Sequence, residues 1–116
     1  MNYQYLANEL RKKIQVLTNT FEAFNLQVLN IGAHACSDDD GDLEVLIEIA
    51  SINGSTIPDD VTIKLNLYDE SGSIYLHREE SLYAEDFGGY DTIQIDCYDD
   101  KHTLERATRG RLFVTK

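Results

Sequence analysis

The chain has 116 residues, 42% of them hydrophobic and 27% charged, which suits a single folded domain and is too apolar for intrinsic disorder. Asp and Glu number 21 against 10 Lys and Arg, giving a formal charge of −11. That balance is opposite to the clustered cations needed to bind nucleic-acid phosphates or an anionic membrane, so neither is expected as a direct partner, and basic proteins or cations suit the field instead.

The N-terminal segment has no apolar run followed by a small-residue cleavage site, and no stretch approaches the ~20 apolar residues of a membrane span. The expectation is a soluble cytoplasmic protein, exported only if a signal has been removed. Leu6, Leu10, Ile14, Leu17, Phe21 and Phe24 are spaced 4, 4, 3, 4 and 3 apart, which predicts an amphipathic helix over 3–20. Its stripe of Leu6, Leu10, Ile14 and Leu17 has two uses: packing on the domain core, or docking against its copy in a homodimer.

From residue 24 to 116 the apolar period changes to 2. Alternation predicts strands over 43–50, 61–68 and 92–98, with weaker ones over 26–35, 74–83 and 111–115. The parity slips between Val28 and Leu29, which predicts a bulge. Clusters of Gly, Asx, Ser and Pro separate the runs, as turns require. The fold expected is mainly β: an antiparallel sandwich of about six to seven strands preceded by the helix, in one domain.

Leu65-Asn66-Leu67-Tyr68-Asp69-Glu70-Ser71-Gly72 resembles the signature of the FxLYD-type domain, a bacterial immunoglobulin-like β-sandwich module, with Leu65 in place of Phe. The resemblance spans roughly 43–114 and leaves out the N-terminal helix. It implies a non-catalytic module whose motif ends a strand at a turn.

Three acidic segments carry the densest polar chemistry. In an antiparallel sandwich alternate loops share an end, which would gather Asp38, Asp39, Asp40, Asp42, Asp69, Glu70, Asp99 and Asp100. These residues read as solvated turns, as a surface that docks a basic protein, or as a Ca²⁺ site built from Asp38, Asp40, Asp42, Asp69 and Asp99. An EF-hand is excluded: with Gly41 at the glycine position, the first ligand would be Cys36 and the last Ile47. His34, Cys36, Cys97 and His102 formally supply a Zn²⁺ set without finger spacing, and Cys97 falls on an inward-facing position. Two cysteines are too few for a disulfide scaffold, and a Cys36–Cys97 bridge suits only an exported chain. Asn53-Gly54-Ser55 and Asp86-Phe87-Gly88 read as turn and loop. No nucleophile elbow or triad accompanies the three histidines, so catalysis and a cofactor are not expected. The function expected is a non-catalytic protein-interaction module with an acidic surface. The alternatives are an acidic inhibitor that mimics nucleic acid and a Ca²⁺-binding module.

Overall fold

A computed structural model of the chain describes residues 2–37, 41–98 and 103–116. Helix α1 spans Tyr3–Arg11 and is opened by Asn2, whose side chain accepts a hydrogen bond from the Tyr5 amide, as an N-cap does. After Lys12 the chain becomes extended. Ile14–Val16 forms β1, and Thr18–Glu22 forms the short helix α2. The continuous helix expected over 3–20 is therefore a helix, a strand and a helix.

The reason lies in Ile14-Gln15-Val16, where two β-branched residues alternate with a polar one and a parallel partner strand is at hand. The apolar spacing persists because the separate pieces turn the same stripe inward. Leu10, Ile14 and Phe21 are buried, and Leu6 packs against the core from its edge. The stripe thus serves its own domain, and Leu10 and Ile14 present nothing to a second chain.

Six further strands follow: β2 (Leu26–Ala35), β3 (Leu43–Ser51), β4 (Val61–Tyr68), β5 (Ile74–Leu82), β6 (Tyr90–Cys97) and β7 (Arg109–Thr115). A four-residue helix, α3 (Thr103–Arg106), precedes β7. The strands form two sheets, ordered β1-β7-β4-β5 and β2-β3-β6, with the core between them. Along β3 and β4 every second side chain enters that core, including Leu43, Val45, Ile47 and Ile49 from β3 and Val61, Ile63, Leu65 and Leu67 from β4. Period 2 in the sequence thus becomes two apolar faces pressed together. The register of β2 against β3 shifts between Val28 and Asn30, which makes Leu29 the bulged residue where the parity slips.

The architecture is a mainly β two-sheet sandwich with a helix at its N-terminus. An immunoglobulin constant domain orders its strands A-B-E-D and C-F-G. Here the third strand pairs with the sixth and the fourth with the fifth, as in that order, but the second pairs with the third and the seventh with the fourth. Helix α1 lies beside β2, and its Gln4 amide reads the open strand edge. Gln4 Nε2 donates to the Ala33 carbonyl at 3.2 Å, and Gln4 Oε1 accepts from the Ala35 amide at 3.1 Å. One side chain thus stands in for a neighbouring strand. No helix among the described residues is long and apolar enough to cross a membrane.

Candidate functional site

The β2–β3 loop, the β4–β5 turn and α3 meet at one end of the sandwich. The Leu104 amide donates to the Gly41 carbonyl at 2.9 Å, and the Thr108 amide to the Tyr68 carbonyl at 2.8 Å. This brings Asp42, Asp69 and Glu70 to the same end, while Asp38, Asp39, Asp40, Asp99 and Asp100 lie outside the described residues. Asp69 is committed to its own turn. Its Oδ1 accepts from the Ser71 hydroxyl at 2.6 Å and from the Ser71 and Ser73 amides at 2.9 and 3.1 Å. These bonds, the Ser71 hydroxyl first, hold its carboxyl below the usual range. Asp69 is therefore an Asx-turn acceptor through Oδ1. Among the described residues no three His, Cys, Asp or Glu side chains converge as a metal cage.

The zinc grouping does not assemble either. His34 and Cys36 lie exposed at the end of β2, Cys97 points into the core with no solvent exposure, and His102 lies outside the described residues. Strand β3 runs between β2 and β6, with Ala35 opposite Leu43 and Leu43 opposite Cys97. Two strand spacings of ~4.8 Å exceed the ~7 Å limit for bridging Cα atoms, so a Cys36–Cys97 disulfide does not fit this register. Both are free thiols. Burial pushes Cys97 up to about 12. Cys36 is raised as well, by desolvation first and then by the carboxylates of Glu44, Asp42 and Asp96, against the lowering effect of its hydrogen bond with Tyr98. Neither thiol is activated as a nucleophile.

A more coherent constellation lies on the solvent face of the β2-β3-β6 sheet. Period 2 sends Glu44 and Glu48 of β3 and Asp96 of β6 outward, opposite the buried residues of the same strands. Glu44 and Asp96 are direct cross-strand partners, a like-charge pairing that costs stability. Amides and a phenol hold these carboxylates in place. Gln94 Nε2 donates to Asp96 Oδ1 at 3.0 Å and Glu44 Oε2 at 3.3 Å. The Tyr90 hydroxyl donates to Glu48 Oε2 at 2.7 Å, and Asn30 Nδ2 to Glu48 Oε1 at 3.3 Å. Among the described residues no Lys or Arg comes within 4.0 Å of these three carboxylates. Tyr90 and Tyr98 flank them, 54% and 47% exposed.

The alternation of these strands was legible, but the convergence of the carboxylates was not. It depends on the register that sets Glu44 against Asp96, and a sequence read strand by strand carries no pairing between β3 and β6. Laying the two strands antiparallel would have exposed it. The other site missed from sequence is Asn25, at φ 63°, whose amide nitrogen donates to the Asn53 and Thr56 carbonyls at 2.7 and 2.8 Å and fastens that loop.

No family model matches the chain, and no match was found among curated proteins. The crystal structure of Campylobacter jejuni cj0090 is similar in fold, with a TM-score of 0.50 and 18% identity over 88% of this chain and 95% of that one.

Proposed function

We propose that the chain is a non-catalytic protein-interaction module that docks a basic protein partner on the solvent face of its three-stranded sheet. The observation that supports this reading is the cross-strand pair of Glu44 and Asp96. Two like charges are set side by side on the sheet and held by Gln94, with no Lys or Arg within 4.0 Å among the described residues, although the pairing works against folding. A basic side chain from a partner would relieve the repulsion. The exposed rings of Tyr90 and Tyr98 would supply the aromatic contact common at protein interfaces. Where that partner is itself a nucleic-acid-binding protein, the same carboxylates would occupy its phosphate contacts. The acidic loop end adds to the field that steers a basic partner. The FxLYD-type, immunoglobulin-like identity belongs to the same proposal: Leu65 to Gly72 end β4 and turn into β5, where that module carries its motif.

The test uses a lysine-rich peptide as the probe. Glu44→Gln with Asp96→Asn should weaken its binding at least tenfold while leaving the melting temperature equal or higher, because a like-charge pair has been removed. Unchanged affinity would overturn this assignment of the face.

A further inference from the structure

The outer face of the other sheet carries a cluster of cations. Tyr68 ends β4 on that face, and the register sets it beside Arg109 of β7. The guanidiniums of Arg109 and Arg111 lie over its ring, 4.3 and 5.3 Å from the centroid, and Tyr68 is only 7% exposed. Stacking of this kind holds a guanidinium flat and leaves its N–H edges to meet an anion. Lys64 shares the face, set between Phe113 of β7, which is two residues along from Arg111, and Glu79 of β5. The chain has 21 carboxylates, yet among the described residues none comes within 4.0 Å of Lys64, Arg109 or Arg111.

We propose that this basic face stacks on the acidic sheet face of a second copy of the chain, with Lys64, Arg109 and Arg111 of one copy against Glu44, Glu48 and Asp96 of the next. The inference rests on the acidic face being a docking surface, and it names one occupant. Both surfaces are outward sides of antiparallel pairs with the same ~4.8 Å strand spacing, so charges on one can meet charges on the other in register. Their signs are complementary, and among the described residues neither trio has an ion-pair partner within 4.0 Å, Glu79 opposite Lys64 and His34 opposite Glu44 included. They lie on opposite sides of the sandwich, so the contact is heterologous: it leaves one free face at each end and adds copies in a row. The net charge of −11 opposes association at long range, but physiological salt screens it beyond ~8 Å while leaving close pairs effective.

Sedimentation velocity of the full chain tests this directly. At physiological salt the mass should rise with protein concentration, and at 1 M salt, where screening reaches in to roughly 3 Å, the chain should be monomeric. Lys64→Glu with Arg111→Glu destroys one face, and Glu48→Lys with Asp96→Lys destroys the other. Arg109 is kept in the first variant to preserve the stack on Tyr68. Each double variant alone should stay monomeric, and an equimolar mixture should associate again in alternating rows, since the two intact faces complement each other and so do the two reversed ones. The neutral variant Lys64→Gln with Arg111→Gln, paired with far-UV circular dichroism, guards against misfolding and should associate at least tenfold more weakly than the wild type. A wild-type chain that is monomeric at millimolar concentration, or assemblies that survive both double variants, would overturn the proposal. If the lysine-rich peptide still binds the monomer, the docking reading stands without self-stacking. If an oligoglutamate peptide binds a non-associating chain through Lys64 and Arg111, a foreign acidic partner replaces the second copy.

Discussion

Cys97 shows how one side chain couples position to pH. Its alternation with Ile93 and Ile95 along β6 sends the thiol into the core, where its pKa is pushed from 9.0 to about 12 by loss of water around the thiolate. The folded pKa is raised above the unfolded one, so the stabilising contribution is complete below about 9. It is lost as pH rises toward about 12, because the unfolded thiol ionises while the folded one keeps its proton. Unfolding in urea across that window should show stability falling with pH, and Cys97→Ala should flatten this part of the slope. An unchanged slope in the variant would place the alkaline sensitivity elsewhere. Asp69 has the opposite sign: its lowered pKa gives a contribution present above the ordinary carboxylate range and lost as pH falls through the folded value. The inward thiol was legible from parity alone. Asn25 was not, because its role depends on a left-handed backbone and on a loop 28 residues away.

At the scale of elements, the N-terminal segment separates what a pattern specifies from what it leaves open. The 4, 4, 3, 4, 3 spacing identified the side chains that face the core, and Leu10, Ile14 and Phe21 do so. It did not distinguish one helix from a helix, strand and helix wrapped on the same sheets, because β1 exists only through its pairing with β7. The strands of the sandwich were easier to read, since period 2 with intervening turns is a local signal. Helix α1 also has a task that its apolar stripe does not reveal, which is to close the β2 edge through Gln4. Gln4→Ala should cost about 1–2 kcal/mol in urea unfolding, the typical net loss for two hydrogen bonds, and should speed exchange of the Ala35 amide. If that amide exchanges as slowly as before, water or another group caps the edge just as well.

Over the whole molecule, the sandwich sorts a chain of net charge −11 into two unlike faces. Glu44, Glu48 and Asp96 lie on the three-stranded sheet, and Lys64, Arg109 and Arg111, with Glu79 opposite Lys64, lie on the four-stranded one. Composition alone showed the acidity but not this segregation, which follows from register across strands far apart in sequence. The alternation of loops in a sandwich pointed to the loop end, of which Asp42, Asp69 and Glu70 are described and Asp69 accepts its turn's hydrogen bonds through Oδ1. On the proposed function, the acidic sheet face, rather than the loop end, receives a basic partner. Titration of the isotopically labelled chain with a lysine-rich peptide, followed by amide chemical shifts, decides between the two. Shifts should concentrate along β3 and β6 at Glu44, Glu48, Asp96, Tyr90 and Tyr98, and salt should suppress them. Shifts confined to the β4–β5 turn around Asp69 and Glu70, or spread evenly over the surface, would contradict it.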